Sequence, residues 1–310
     1  MGNVLANDTS IGENVIIHAT AIIKCDKLIV GDNVVIDERT KIICPNGHVH
    51  IGDNTYIGND VTIALKSFEI GEYTKLHNHC LLNGKASVKI GHNCWIGQNC
   101  NLNGEADLLI GNNVGIGTYS SVWTHGYFGE LIEGCSIFSI KPTTIEDDVW
   151  LVGSYNTIFP GVTIKKKTVL FGTSVITKST EENNVYSGNP AQNITSKVGL
   201  PYHDVSVSEK IEIIRNTLLQ NLPDAVACSE EKISVKGLGE IYFLPSAVPE
   251  ISAEAVCFFE EVENWNTAEN ISLFCLTSKC YSKQKTAIEI MVRKLLNPVT
   301  ARFIPLNKNL

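Results

Sequence analysis

The sequence predicts a mainly β fold in which short strands stack as the coils of a three-sided parallel helix, followed by a small α/β domain. Three observations support this prediction. Six-residue units with an aliphatic first residue, usually followed by glycine, recur from IGENVI (11–16) to LFGTSV (170–175). The units come in pairs that start 19 to 21 residues apart, with a looser segment of seven to nine residues between pairs. After Pro201 this periodicity ends.

Each position of the unit has a physical reason. The first residue points inward, and glycine at the second position permits close approach of the chain. The fourth residue is often Asn or Asp, which tolerates left-handed backbone and therefore suits a corner. The fifth residue is small and faces inward; Cys80, Cys94 and Cys100 occupy this position and are expected to be compact apolar fillers. Stacked coils then bury a core that no single coil could bury.

The bulk composition excludes several classes of protein. The chain has 310 residues, of which 44% are hydrophobic and 19% charged, and its formal charge is −8. An acidic surface repels phosphate backbones, so a nucleic acid partner is not expected. The first residues lack the basic start and apolar core of a signal peptide, and no apolar run of about 18 residues could span a bilayer. We therefore expect a cytoplasmic protein without a membrane span.

One segment breaks the repeat. The third segment after the pair at 110–121 runs over residues 122–144, which is 23 residues long. The excess must leave the coil as a loop, and loops on rigid scaffolds are where functional residues collect. His125 lies at the start of this loop, where a side chain can be placed accurately. A histidine with only a structural role at a loop corner is the alternative interpretation.

The end of the repeat is its most specific part. It reads IEDDVWLVGSYNTIFPGVTIKKKTVLFGTSVITKST (145–180), followed by VYSGNPAQNI (185–194). This stretch resembles the terminal signature of the sugar and xenobiotic O-acetyltransferases, which belong to the hexapeptide-repeat acyltransferases. Trp150, residues 160–162, Ser174, residues 177–178 and residues 188–191 match. The sequence departs from that signature at Glu146, at Phe171 and Thr173, and by one extra residue between Trp150 and Pro160.

The resemblance implies a left-handed parallel β-helix and an acyltransferase that uses acetyl-CoA. It implies a homotrimer with active sites between neighbouring subunits. In such enzymes a histidine on a loop like this one removes the proton from the acceptor, and His125 matches that position; Glu130 and Glu133 would either orient the imidazole or lie in solvent. A backbone N–H is the expected donor to the oxyanion. The expected coenzyme contacts are Gly153, Ser154, Gly172, Thr177 and Lys178, and the expected substrate contacts are Asn101 and Trp123.

The function predicted from these features is acetyl transfer to a hydroxyl or amine of a sugar, with a surface-polysaccharide precursor or a sugar nucleotide as candidate acceptors. A non-catalytic hexapeptide scaffold whose C-terminal domain binds a partner is the alternative. A zinc site of His77, His79 and His125, as in γ-class carbonic anhydrases of the same fold, is a further alternative. Because that interpretation does not account for the coenzyme-like ending, no metal is expected.

The sequence predicts two domains, a β-helix over residues 1–200 and an α/β domain over residues 201–310. In the second, residues 206–222 have apolar positions at helical spacing and a capping box from Ser206 to Glu209. A second helix is expected over residues 282–297, with strands between and after the helices. Trimer contact, acceptor recognition and partner binding are all compatible with this domain.

Overall fold

The structure is a computed structural model, and it describes residues 3–222, 224–298 and 300–306. The chain divides into two compact units, Met1–His203 and Asp204–Leu310. The elements of the first unit are β1 (Asn3–Leu5), β2 (Asp8–Ile11), β3 (Ile16–Ile17), β4 (Ile22–Val30), β5 (Val35–Ile36), β6 (Lys41–Ile51), β7 (Tyr56–Ile57), β8 (Thr62–Ala64), β9 (Ser67–Ile70), β10 (Lys75–Leu76), β11 (Leu81–Asn83), β12 (Ser87–Ile90), β13 (Trp95–Ile96), β14 (Asn101–Asn103), β15 (Leu108–Ile110), β16 (Gly115–Ile116), β17 (Ser121–Val122), β18 (His125–Gly126), β19 (Ser139–Ile140), β20 (Thr143–Ile145), β21 (Trp150–Leu151), β22 (Thr157–Ile158), β23 (Thr163–Ile164), β24 (Val169–Leu170), β25 (Val175–Ile176), β26 (Val185–Gly188), β27 (Ala191–Asn193) and α1 (Thr195–Val198).

These strands form the three faces of a parallel β-helix. One face runs in the order β23-β20-β15-β12-β9, and a second in the order β26-β24-β21-β16-β13-β10-β7-β5-β3. The third runs in the order β8-β11-β14-β17-β22-β25. The long strand β6 pairs with β8 through its first half and with β9 through its second half, so it turns the corner between two faces. The fold class predicted from the repeat, a parallel β-helix followed by a small α/β unit, is confirmed.

Residues at the fourth position of the repeat form the corners of the coil, as the sequence predicts. Among the described residues, fifteen corner residues of the coil have φ between 55° and 62°, in the left-handed region that costs most side chains free energy. They are Asn14, Asn33, Arg39, Asn54, Asp60, Tyr73, His79, Asn93, Asn99, Asn113, Tyr119, Asp148, Tyr155, Lys167 and Thr173. The frequent Asn and Asp at these positions therefore reflect the left-handed backbone that the corners require.

The interior of the coil is a single aliphatic column. Residues such as Ile36, Ile57, Ile96 and Ile116 are fully buried in it, one above the other. Cys80, Cys94 and Cys100 are buried free thiols in the predicted inward positions. Burial raises the pKa of the Cys44 thiol in the same column to about 11. These cysteines therefore fill the core as compact thiols, and the Sγ atoms of Cys80, Cys94 and Cys100 each also lie 3.1–3.3 Å from a backbone carbonyl oxygen.

In the part of the chain that the structure describes, the second unit is a seven-stranded mixed sheet with two helices. Its strands are hydrogen-bonded in sequence order. The elements are α2 (Val207–Asn221), β28 (Ala225–Ser229), β29 (Lys232–Val235), β30 (Gly239–Phe243), β31 (Ala255–Phe259), β32 (Ile271–Cys275), β33 (Cys280–Tyr281), α3 (Ala287–Leu296) and β34 (Ile304–Pro305). None of the described helices of the chain is long and apolar enough to cross a membrane.

The structure contains both predicted helices of this unit, but only the first begins where the sequence predicts. Helix α2 has the predicted capping box between Ser206 and Glu209. Helix α3 begins at Ala287, five residues later than predicted, with Thr286 as its N-cap. The reason is Glu289, whose Oε2 accepts hydrogen bonds from the backbone N–H groups of Gln284 (2.7 Å) and Lys285 (3.1 Å). Those bonds hold the preceding residues outside the helix.

The carboxyl group of Glu289 is buried in this unit. Its Oε2 also accepts a 2.6 Å hydrogen bond from Ser272 Oγ, which is itself buried. Loss of hydration on burial raises the pKa of Glu289 above its ordinary value, and the bond from Ser272 opposes that rise in part. The folded chain therefore holds this proton to a higher pH than the unfolded chain does.

We predict that Gly117→Ala destabilises the coil. A Cβ at Gly117 would lie 1.6 Å from the carbonyl oxygen of Gly153, which is backbone of the next coil and cannot rotate away. Overpacking of this kind costs about 1–3 kcal/mol. The midpoint of thermal unfolding should fall, whereas Gly126→Ala, where nothing lies within 4 Å of the added methyl group, should leave it unchanged. Equal midpoints for the two variants would show that the coils are not in tight register.

We predict that Glu289 makes stability fall as pH rises. Between the unfolded pKa, near 4.5, and the raised folded pKa, the folded state binds more protons than the unfolded state. The free energy of unfolding therefore decreases by up to about 1.4 kcal/mol per pH unit in that window. Glu289→Gln keeps the volume and removes the titration. Urea unfolding of both proteins from pH 4.5 to 8 should give a difference that changes with pH; a constant difference would contradict the assignment.

Candidate active site

The oversized third segment leaves the coil and folds as a hairpin. It departs after β17, pairs β18 with β19 in antiparallel fashion, and returns to the coil at β20. Two hydrogen bonds tie its base to the coil: Lys141 N donates to Thr124 O (2.9 Å) and Thr143 Oγ1 donates to Trp123 O (2.8 Å). His125 opens β18, so it stands at this fixed base and not in the outer loop.

The imidazole of His125 contacts a residue of the neighbouring coil. Its Nδ1 lies 2.7 Å from Oδ1 of Asn103, the last residue of β14. Asn103 is only 3% exposed, and its Oδ1 also lies 2.7 Å from the hydroxyl of Thr124. The histidine ring is half-buried. Its orientation is therefore set by a buried amide and not by a solvated loop residue.

Aromatic rings flank this imidazole. The ring centroid of Trp123 lies 5.8 Å from that of His125, and the centroid of Tyr127 lies 5.1 Å from it. Tyr127 in turn contacts Phe138 across the hairpin, with centroids 5.4 Å apart. These rings limit rotation of the imidazole and provide flat apolar surfaces beside it.

One carboxylate lies close to this cluster. Glu105 Oε1 accepts hydrogen bonds from Lys85 Nζ (2.7 Å) and from the hydroxyl of Tyr127 (3.3 Å). The bond from Lys85 holds the pKa of Glu105 below its ordinary value, so the group is ionised at neutral pH. Glu130 and Glu133 both lie in the exposed outer part of the loop. Of the two alternatives for them, the structure favours exposure to solvent. The residue that contacts the imidazole is Asn103, which no sequence motif indicated.

The two expected substrate contacts lie on the same face of the coil as Asn103. Asn101 and Asn103 are the outward residues of β14, and β14 pairs with β17 so that Asn101 is opposite Ser121. Trp123 continues β17 and lies opposite Asn103, with its N–H donating to Ile158 O. Asn101 Oδ1 is buried without a hydrogen-bond partner in the part of the chain that the structure describes.

The expected coenzyme contacts fall into two groups. Gly153, Ser154 and Gly172 meet at one corner, where Ser154 O accepts the N–H of Thr173 at 2.9 Å. Thr177 and Lys178 follow β25 on the third face and are exposed. Adjacent strands are about 4.8 Å apart. Thr177 is two coils beyond Trp123, so it lies roughly 10 Å along the face from the histidine cluster.

The extra residue before Pro160 has a structural explanation. Asn156 is fully buried, and its side chain bridges Val152 O and the N–H of Ser174. The segment 152–155 therefore bulges at the corner that contains Gly153 and Ser154. Tyr155 stacks there on Tyr119, with centroids 5.2 Å apart. The sequence shows the insertion, but not that a polar side chain fills the core beneath it.

The lysines of the basic run 165–167 contact other residues of the first unit. Lys165 Nζ lies 2.7 Å from Glu146, the residue that replaces the usual glycine, and Lys166 Nζ lies 3.3 Å from Glu182. Lys167 lies over the ring of Tyr202. These ion pairs account for the run without a ligand, and they explain Glu146 as a partner of Lys165. The exposed cation near the expected coenzyme contacts is Lys178.

The histidines of the zinc alternative contact different partners. His77 lies between the rings of Tyr56 and Trp95, with centroid distances of 5.9 and 5.1 Å. His79 Nδ1 lies 3.8 Å from Asp60 Oδ2, and His125 bonds Asn103. Within the described ranges, no group of three or more His, Cys, Asp or Glu residues could hold a metal ion.

No family model matches the chain. Solved structures to which it is similar include the polySia specific acetyltransferase NeuO, at 18% identity and TM-score 0.45, covering 68% of this chain and 92% of that one. UDP-N-acetylglucosamine acyltransferase from Campylobacter jejuni shows 16% identity and TM-score 0.46, covering 71% and 84%. The hexapeptide-repeat acetyltransferase VCA0836 from Vibrio cholerae, complexed with acetyl-CoA, shows 19% identity and TM-score 0.32, covering 47% and 69%. At such scores, the activity of this chain has to be argued from its own residues.

Proposed function

We propose that the chain is an acetyl-CoA-dependent acetyltransferase that modifies a hydroxyl or amine of a sugar or sugar nucleotide. The proposal rests on the placement of His125. Asn103 holds its imidazole at the base of the inserted hairpin, and aromatic rings flank it. It lies on the face of the coil that leads to the signature residues Thr177 and Lys178. A cytoplasmic location and a role in surface-polysaccharide synthesis are part of the same proposal.

The residues of the corner and of β25 fit the coenzyme. Gly153 and Gly172 leave the corner without side chains, so a thin amide-bearing chain can lie against backbone groups there. The φ of Gly153 is +75°, which a side chain would disfavour. Exposed Lys178 provides a cation for phosphate. Gly153, Ser154, Gly172, Thr177 and Lys178 would hold the coenzyme, which supplies the acetyl group as a thioester.

His125 performs the proton transfers of the proposed reaction. Its free ring nitrogen takes the proton from the acceptor hydroxyl or amine as that atom attacks the acyl carbon. A backbone N–H stabilises the charge that develops on the acyl oxygen. The imidazolium then returns its proton to the departing sulfur, so His125 ends each turnover neutral. Asn101 and Trp123 would position the acceptor, through a hydrogen bond and through an apolar wall.

The proposal includes a homotrimer, which the resemblance implies. The outer part of the inserted loop exposes large apolar side chains, with Phe128 at 102%, Ile132 at 90% and Ile137 at 81% of full exposure. Burial of such a side chain contributes about 1.5–3 kcal/mol. A second copy of the chain would cover these residues and close the active site from one side.

We predict that His125→Ala lowers kcat by about 10²–10⁴, because general base catalysis contributes on that order. The measurement is release of free thiol from acetyl-CoA with a panel of sugar acceptors. His79→Ala is the matched control, because His79 lies at another corner of the coil and contacts Asp60. Undiminished turnover in the His125 variant would refute the base role, and loss in both variants would favour the zinc alternative.

Calorimetry with coenzyme A separates the enzyme from a non-catalytic scaffold. Binding at micromolar to millimolar concentration supports the enzyme, and the absence of binding at millimolar concentration supports the scaffold. The wild type and the His125 variant should bind coenzyme A equally, because the proposed base does not hold the coenzyme.

We predict that the wild type sediments at about three times the chain mass of 33.9 kDa, and that the double variant Phe128→Ser, Ile132→Ser dissociates. Each serine removes an apolar contact that only the assembled state can bury. Leu5→Ser, at another exposed apolar position of the same unit, is the control. Analytical ultracentrifugation measures the masses. A monomeric wild type would refute the trimer, and a trimeric double variant would refute the role of the loop.

A further inference from the structure

The amide of Asn103 can adopt only one orientation. Its Nδ2 lies 3.2 Å from the carbonyl oxygen of Asn83, which can only accept a hydrogen bond. Its Oδ1 lies 3.3 Å from the backbone N–H of Glu105 and 3.4 Å from that of Thr124, and these groups can only donate. Exchange of the oxygen and nitrogen would place donor against donor and acceptor against acceptor. Backbone groups on both sides therefore fix which atom faces His125.

This orientation decides the protonation of His125. An amide oxygen has no hydrogen to give, so the 2.7 Å contact between Asn103 Oδ1 and His125 Nδ1 requires a proton on Nδ1. In the neutral ring the other nitrogen, Nε2, then carries the lone pair. Among the described residues, no group hydrogen-bonds Nε2. The ring therefore presents a basic nitrogen away from the coil, where an acceptor would bind.

We propose that Asn103 is a positioning residue that holds His125 in the Nδ1–H tautomer, so that Nε2 is the catalytic base. The inference deepens the proposed acetyl transfer and rests on it. A solvated imidazole rotates and exchanges between tautomers, and only one tautomer in one orientation can take the proton of the acceptor. Asn103 removes both freedoms, because it is buried and its own orientation is fixed.

The neutrality of the amide matters as much as its geometry. A carboxylate at this place would also accept the proton of Nδ1, but it would favour the charged imidazolium. An amide oxygen accepts the proton of Nδ1 and orients the ring without placing a negative charge against it. The ionised Glu105 is directed to Lys85 and Tyr127 instead, which leaves Asn103 as the acceptor at Nδ1.

Solid-state ¹⁵N NMR of protein labelled in its histidine rings tests the tautomer without any substrate. The chain has eight histidines, and the signal of His125 is the one that disappears in His125→Gln. At a pH above 8, we expect a protonated Nδ1 and an unprotonated Nε2 in the wild type. In Asn103→Leu, which keeps the volume but removes the acceptor, the Nε2–H form should appear. An Nε2–H ring in the wild type, or an unchanged ring in the variant, would overturn the proposal.

Thr124→Val is the matched control for structural damage. The hydroxyl of Thr124 bonds the same Oδ1 at 2.7 Å and receives the N–H of Ala106 at 3.0 Å, but it does not touch the imidazole. Both variants lose buried hydrogen bonds at the same place, so both should unfold at lower temperature. Only Asn103→Leu should change the tautomer of His125. If Thr124→Val changes it equally, Asn103 has no specific role.

Kinetics complete the test. We expect Asn103→Leu to lower kcat about tenfold, equivalent to about 1.4 kcal/mol, with KM for acetyl-CoA unchanged. Thr124→Val should retain the kcat of the wild type. An unchanged kcat in Asn103→Leu would refute the positioning role. If the wild type transfers no acetyl group, the proposed function fails, but the NMR result still decides whether Asn103 sets the tautomer.

Discussion

Stacking of successive coils in parallel register is the constraint on which the rest of the structure depends. Each coil repeats about every 20 residues, so the neighbours of a side chain are residues one period earlier and one period later. The backbone hydrogen bonds of one coil are made to the next, and no coil can bury its aliphatic residues alone. A departure from the period at one place is therefore transmitted to the coils beside it.

The candidate site is built from two such departures. The inserted hairpin brings His125 back against Asn103 of the preceding coil, and the hydrogen bonds from Lys141 N to Thr124 O and from Thr143 Oγ1 to Trp123 O hold its base. The extra residue in the segment 152–155 widens the corner that carries Gly153 and Ser154, and the buried side chain of Asn156 bonds backbone groups beneath it. Both departures are compensated by buried polar groups with partners, which is the condition under which a β-helix tolerates them.

Most of the first unit could be predicted because its structure is local. The corner residues, the inward small residues and the faces follow from a hexapeptide read by itself, as Asn54 and Cys94 illustrate. The second unit is harder to predict, because no repeat in its sequence indicates which elements pair, although its strands are hydrogen-bonded in sequence order. The start of α3 was predicted five residues too early, since the carboxylate of Glu289 binds the backbone before the helix and no local pattern records that bond.

The sequence by itself determined the repeat, the corners and the point at which the chain leaves the coil, and it identified His125 at that point. Asn103 lies one period before Trp123, but the sequence pattern did not single it out as a partner of His125. Only the tertiary structure decided that the hairpin turns the imidazole onto that amide, that Glu130 and Glu133 lie in solvent, and that the lysines at 165 and 166 form ion pairs. The physical reason is that a repeat sets the position of a backbone, whereas hydrogen bonds between side chains depend on how a nonrepeating loop folds back over it.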